Sequence, residues 1–312
     1  MLTTIKLHPD MANKMRVLSC RCLLSFLLCC SISAVHAGIS ASETIEVSDD
    51  RQRPVILSQP AQRVISLAPH ITELLYEAGA GERIVGTVGY SDYPEPAKKI
   101  PRIGSFSKFD YEAITVLKPD LIIAWHSGNP ASQMQGIHGL GVPVFYSEPK
   151  TLDDIAESIE DFGRLTGTLE IAGPQAERFR NRLSALQQTY KNRKPVRVFY
   201  EVWDQPLMTV NGEHIISAAI ALCGGVNVFA DMPMMAPHID MESVLERNPQ
   251  VIIAGINQQR SDWLPQWKRW PDIDAVANGH VYGVNPDMMT RHTSRILTAT
   301  GEVCDYIDKA RQ

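Results

Sequence analysis

Apolar positions along the chain fall in short, unbroken runs separated by mixed stretches. After a polar lead-in from Gly38 to Gln62, the runs Val64–Leu67, Ile84–Val88, Leu121–Trp125 and Val142–Tyr146 read as strands, with helical stretches around 71–79, 111–118 and 132–139 between them. Runs with no alternating polar positions belong to strands covered on both faces, the condition of a largely parallel sheet flanked by helices. From Thr151 to about Arg193 the strands stop. Ile155, Ile159, Phe162 and Leu165, then Phe179, Leu183 and Leu186, recur at helical spacing and give two consecutive helices, with Pro174 near the start of the second, where a proline is tolerated or kinks the helix. Past Lys194-Pro195 the alternation resumes with Val196–Tyr200, Val251–Ala254 and His280–Val284, and an apolar helix runs from His214 to Gly224. The expected fold class is therefore α/β, two lobes with mainly parallel sheets joined by a helical bridge.

An internal echo supports matching halves. Glu112, Pro119 and Ile122-Ile123-Ala124 recur as Glu242, Pro249 and Ile252-Ile253-Ala254 at a constant offset of 130. Each unit opens a helix with a glutamate, closes it before a proline and continues into a buried strand. Any helix–proline–strand unit has this look, but one per lobe favours two similar halves facing each other.

The first residues follow a different pattern. Lys14, Arg16 and Arg21 precede or interrupt a short apolar run, Leu23 to Cys30, which ends in small residues and Val35-His36-Ala37. This is the form of a signal peptide spanning 1–37, with Met11 or Met15 as alternative starts and acylation of Cys29 or Cys30 as a weaker variant. Its removal takes away Lys6, Lys14, Arg16 and Arg21 and the single acid Asp10, moving the net charge from −5 to −8. Such a chain lacks the basic footprint that nucleic acid or an anionic membrane requires. Only Cys223 and Cys304 remain, and in an oxidising compartment they read as one disulfide stapling two helices, the alternative being two buried thiols.

Catalytic signatures are missing: the sequence has no G-x-S-x-G, P-loop, H-E-x-x-H or C-x-x-C motif. Gly79-Ala80-Gly81 begins like a dinucleotide fingerprint but lies at a helix end, and reads as a C-cap and turn. His70, His126, His214, His238 and His292 fall just after strands or at helix starts, where an open α/β sheet presents its crevice to a ligand or metal, although each alone is more often a solvated or capping histidine. Tyr90, Tyr93, Phe106, Phe109, Trp125 and Trp203 sit in or beside loops after strands. Rings converging on a crevice suit a large flat or amphipathic ligand, and ordinary core packing is the alternative.

Four stretches carry a family resemblance: Arg63 to Leu74, Gly89-Tyr-Ser-Asp-Tyr-Pro94, Leu117 to Trp125, and Cys223-Gly-Gly225. They resemble the periplasmic substrate-binding proteins of cobalamin and iron-siderophore importers, above all the cobalamin-binding branch. The resemblance implies two α/β lobes joined by a single long helix, divided as 38–165, 166–194 (the bridge) and 195–312. It implies ligand contacts from Tyr90, from Trp125 and Phe106, and from the loop Asp287, Met288, Met289, Thr290 and Arg291. Ala236 stands where the family has a tryptophan, so part of the ring wall is absent or supplied by Trp203 or Met234. Glu112 and Glu242 match the two glutamates that dock on the membrane permease, and Cys223 and Cys304 match the family disulfide.

The expected protein is a monomeric periplasmic carrier, not an enzyme. It has no metal site of its own and no cofactor, cobalamin being its transported ligand, and it delivers that ligand to an ABC transporter permease and ATPase complex. The single-helix bridge predicts a small hinge motion. Two alternatives compete: the same fold holding haem or a ferric siderophore, with Tyr90, Tyr93, His70 or His126 approaching iron, and a small-substrate hydrolase using the same cleft.

Overall fold

The computed structural model describes residues 44–256 and 263–312; the expected signal segment lies outside them. Its N-terminal sheet holds four parallel strands in the spatial order Ile84–Thr87, Val64–Ser66, Leu121–Trp125, Val144–Ser147. The C-terminal sheet repeats that order with Gly225–Asn227, Val196–Glu201, Val251–Gly255 and Val281–Val284, again all parallel. In each lobe the chain starts in the middle of the sheet, adds one strand on one side and two on the other. The crevice between the first and third strands is thus a topological switch point in both, where open α/β sheets place their ligands.

The strands are apolar because both faces are covered. Val64, Leu121 and Ile123 pack on the side of the helices Pro69–Glu77, Leu152–Thr166 and Leu169–Tyr190, while Ile65, Ile122 and Ala124 pack on the other with Ile114, Met134 and Ile137. In the second lobe Val198, Tyr200 and Ile253 take one face and Phe199 and Ile252 the other. Each buried residue of this size contributes about 1.5–3 kcal/mol relative to exposure, against about 0–1 kcal/mol for an exposed ion pair, so the sheets dominate stability.

The bridge is the 22-residue helix Leu169–Tyr190, which carries Pro174 within it and runs antiparallel-fashion after Leu152–Thr166 through the left-handed Gly167. Ile296 and Leu297, at the start of the final helix Ile296–Lys309, and Ile215 are buried in the first lobe's core. The lobes therefore share apolar packing beside the bridge. The Gly79 turn is as expected: its φ of +80° closes the Pro69–Glu77 helix, and a Cβ there would lie 2.7 Å from Ile171 Cδ1.

Two elements differ from the sequence reading. The polar lead-in contains an antiparallel hairpin, Ile45–Ser48 with Pro54–Leu57, in which Val47, Val55 and Leu57 are buried and their neighbours exposed. Half-exposed strands carry too few apolar residues to stand out. Asp49 Oδ1 tightens its turn by accepting from the Arg51 and Arg53 N–H groups, both at 2.9 Å. The short edge strand Gly225–Asn227 was hidden in the turn after the His214-capped helix.

Candidate functional site

The C-terminal ends of the first-lobe strands open on a cleft of about 280 Å³ lined by Pro69, His70, Tyr90, Phe106 and Trp125 and, from the second lobe, Asp287, Thr290, Arg291 and His292. Tyr90, Phe106 and Trp125 are thus brought together with one side of the 287–291 segment. That segment is the helix Pro286–Thr290, whose periodicity turns Asp287, Thr290 and Arg291 to the cleft. Met289 is fully buried in the second lobe's core and Met288 packs against it, so those two expected contacts face away from the cleft. Trp203 stands outside the lining, on a short hairpin, with its ring edge-on to Trp263 at 5.7 Å. Met234 and Met235, beside Ala236, are exposed.

Local structure explains how the rings are held. Tyr90 is 74% exposed and has a φ of +65°, a conformation costing a non-glycine residue about 1–2 kcal/mol. Its turn is fixed beneath by a buried chain of hydroxyls, Ser66 to Thr72 to Thr87 to Ser91, each link 2.8 Å, and by Arg102 Nη2 donating to the Ser91 carbonyl at 2.8 Å. The chain joins the first strand, first helix and second strand to the Tyr90 loop. Trp125 lies flat over Gly128, where a Cβ would fall 1.9 Å from the ring.

Asn129 was not singled out from sequence, yet it positions two of the rings. Buried to 4% exposure, it accepts from the Trp125 N–H at 2.7 Å and donates to the carbonyls of Leu67 and Phe106, both at 3.0 Å. An asparagine four residues beyond a strand-end tryptophan was the available signal. Glu73 was missed too: it accepts from Arg291 Nη1 at 2.8 Å, tying the first lobe's first helix to a residue of the cleft lining.

The cleft's histidines are neutral. Burial beneath Trp125 (5.3 Å, edge-on) and His292 (5.7 Å) holds His70 well below the usual imidazole range, with the Arg291 charge, and repulsion from His292 whenever that ring is protonated, adding to the effect. Burial lowers His292 as well, and pushes His214 down to about 4. His214 Nδ1 caps a helix by accepting from the Ile216 N–H. Of the residues considered for iron, only Tyr90 and His70 line the cleft. Tyr93 lies under the Arg295 guanidinium at 4.0 Å, and exposed His126 packs against Tyr146. Among the described residues no group of three or more His, Cys, Asp or Glu side chains is placed to hold a metal ion, and no helix is long and apolar enough to cross a membrane.

Away from the cleft, Glu112 and Glu242 are exposed at equivalent places. Each is the second residue of a helix, Tyr111–Val116 or Met241–Arg247, capped by an aspartate: Asp110 accepts from the Ala113 N–H at 3.0 Å, Asp240 from the Ser243 N–H at 2.7 Å. Lys118 and Asn248 follow with φ of +46° and +38°. Cys223 and Cys304 form a disulfide between the end of one helix and the body of the last.

Two facing α/β lobes with a ring-lined cleft between them have the architecture of a two-lobed binding protein. The chain belongs to the periplasmic binding protein family, whose model matches residues 64–288. It is 38% identical to the vitamin B12-binding protein of Vibrio campbellii over 254 residues, 81% of this chain and 92% of that one. It is also 38% identical to that of Vibrio cholerae over 262 residues, 83% and 94% of the two chains. The crystal structure of the periplasmic vitamin B12-binding protein of Vibrio cholerae superposes with a TM-score of 0.76, covering 81% of this chain and 99% of that one at 38% identity. The periplasmic heme-binding protein of Roseiflexus sp. RS-1 shares the fold at 21% identity and a TM-score of 0.72, over 81% of this chain and all (100%) of that one.

Proposed function

We propose that this protein captures cobalamin between its lobes in the periplasm and hands it unchanged to an ABC transporter permease. The observation that carries this reading is the meeting of three rings, Tyr90, Phe106 and Trp125, with Asp287, Thr290 and Arg291 from the opposite lobe, in a chain similar over most of its length to vitamin B12-binding proteins. Rings held on fixed loops give a flat macrocycle contact area at little entropic cost, and the few polar groups orient it. No reacting group is required of the protein.

The cleft's roughly 280 Å³ falls just below the roughly 300–1,000 Å³ of small-molecule pockets, so it takes one edge of the macrocycle. The remainder lies across the mouth, where Tyr90 and Phe106 are exposed. The shared packing of Ile215, Ile296 and Leu297 favours a small rotation about the bridge over wide closure. Residues 1–37 serve as the export signal, the lobes divide at 165 and 195 around the bridge, Glu112 and Glu242 dock on the permease, and the carrier acts as a monomer.

Haem is the second reading: Tyr90 and His70 line the cleft while Tyr93 and His126 do not, and the chain is 38% identical to vitamin B12-binding proteins against 21% to the heme-binding protein. Visible spectroscopy of the protein purified gently from its native periplasm tests the reading: a corrin spectrum is expected, and a haem or catecholate-iron spectrum would overturn it.

A further inference from the structure

Arg291, which lines the cleft, belongs to a closed ion cluster whose Glu73 and Arg295 line a separate cavity of about 410 Å³. Glu73 (3% exposed) accepts from Arg291 Nη1 at 2.8 Å and from Arg295 Nε and Nη2 at 2.9 and 2.6 Å. Arg291, only 10% exposed, also reaches Asp92 at 2.9 Å and Asp287 at 3.2 Å. Arg295 is covered on one face by the Tyr93 ring. Two guanidiniums are therefore surrounded by three carboxylates, and the cluster carries a net negative charge. Both hydrogens of Arg291 Nη1 are committed, to Glu73 and to Asp92.

Among the described residues lining the cleft, Arg291 is the one permanent cation, since burial keeps His70 and His292 neutral. A carboxylate arriving on a ligand meets no unpaired positive charge and does meet Asp287 and Asp92. Asp287 and Asp92 are about half exposed (54% and 48%), so water screens part of their repulsion, and what remains opposes a further negative charge beside Arg291. Two further groups speak for an uncharged partner. His70 Nε2 and Trp125 Nε1 are buried with no hydrogen-bond partner, and a carboxamide offers both an N–H and a carbonyl once the lobes part enough to admit it.

We propose that Glu73, by holding Arg291 and Arg295, sets the charge class of the ligand: the cleft accepts a macrocycle whose periphery carries neutral carboxamides and rejects one that carries carboxylates. The proposal rests on the corrinoid reading of the cleft. Glu73 acts here as a positioning residue, removing positive charge that would otherwise serve a propionate or a carboxylate siderophore.

The test measures binding of three probes, cyanocobalamin, its monocarboxylic acid with one peripheral amide hydrolysed, and hemin, to the wild type, Glu73→Gln and Asp92→Asn. Asp92 is 48% exposed, so Asp92→Asn should fold and stands in should Glu73→Gln fail to. The wild type should prefer cyanocobalamin over the acid by about tenfold or more, Glu73→Gln should bring the ratio to about threefold or less, and Asp92→Asn should lower it about twofold. A general loss of stability would weaken both ligands together and leave the ratio where it was. Equal binding of amide and acid by the wild type, or a ratio unchanged in the folded variants, overturns the proposal. If the wild type fails to bind cyanocobalamin, the corrinoid reading falls by itself. Hemin then decides the charge proposal: binding gained only by the variants supports it, and equal binding, or none to any form, sinks it.

Discussion

Arg63 and Arg197 occupy matching places in the two lobes. Arg63 Nε donates to the Leu117 and Lys118 carbonyls at 2.9 and 3.1 Å, and Arg197 Nε to the Asn248 carbonyl at 2.9 Å. Each arginine thus satisfies the open end of the helix that begins with Asp110 or Asp240 and presents Glu112 or Glu242. Asp120 and Gln250, one residue beyond the prolines, complete the match by accepting from the Arg63 and Arg197 backbone N–H groups at 2.9 and 3.1 Å. The two acidic residues are held on matching supports, one in each lobe.

Replacing both Glu112 and Glu242 by Ala should leave ligand affinity within about twofold and stability within about 0.5 kcal/mol, both side chains being exposed. Uptake in reconstituted transporter vesicles should fall about tenfold or more. Uptake unchanged alongside unchanged affinity would remove the docking role.

Much of the fold could be read from the chain, for a physical reason. Central strands covered on both faces, such as Leu121–Trp125 and Val251–Gly255, are apolar throughout, so they appear as runs. The Ile45–Leu57 hairpin and the Gly225–Asn227 edge strand escaped because a strand covered on one face dilutes its apolar residues with exposed ones. In the cleft, Tyr90, Phe106 and Trp125 were legible as rings where a core needs none. Glu73 was not, because its arginines lie 218 and 222 residues away and nothing local marks a buried carboxylate. Met289 entered the expected contacts through a contiguous motif that a helix divides between cleft and core.

Trp125→Ala should weaken ligand binding by roughly 30-fold or more, the loss typical of a central aromatic anchor. Gly128→Ala should produce a smaller loss in the same direction by pushing the ring off its seat. Intrinsic fluorescence titration reads the first and calorimetry the second. Full affinity in Trp125→Ala would show that the ring belongs to the core alone.

The disulfide closes a loop of 81 residues in sequence separation. Cys223→Ser with Cys304→Ser should lower unfolding free energy by about 2–5 kcal/mol while leaving affinity near the wild-type value, because both cysteines are remote from the cleft lining. Denaturant melts with and without reductant check this.

Burial pushes the Glu201 carboxyl up to about 7 from an ordinary 4.5, although the Trp267 indole N–H donates to it at 2.7 Å. The folded state therefore keeps a proton that the unfolded chain gives up above pH 4.5. Its contribution is full below about 4.5 and is lost as the pH climbs to about 7. His214, pushed down to about 4, works in the opposite direction, lowering stability as the pH falls from 6.5. Glu201→Gln keeps an acceptor for Trp267 and should gain up to about 3 kcal/mol over the wild type at pH 8 relative to pH 4.5. An identical difference at both pH values would refute the assignment.

The central claim is that the cleft between the lobes holds one corrinoid. Calorimetric titration of the purified carrier with cyanocobalamin tests it most directly: saturable heat with one ligand per chain is the predicted result, and the absence of saturable binding would contradict the account.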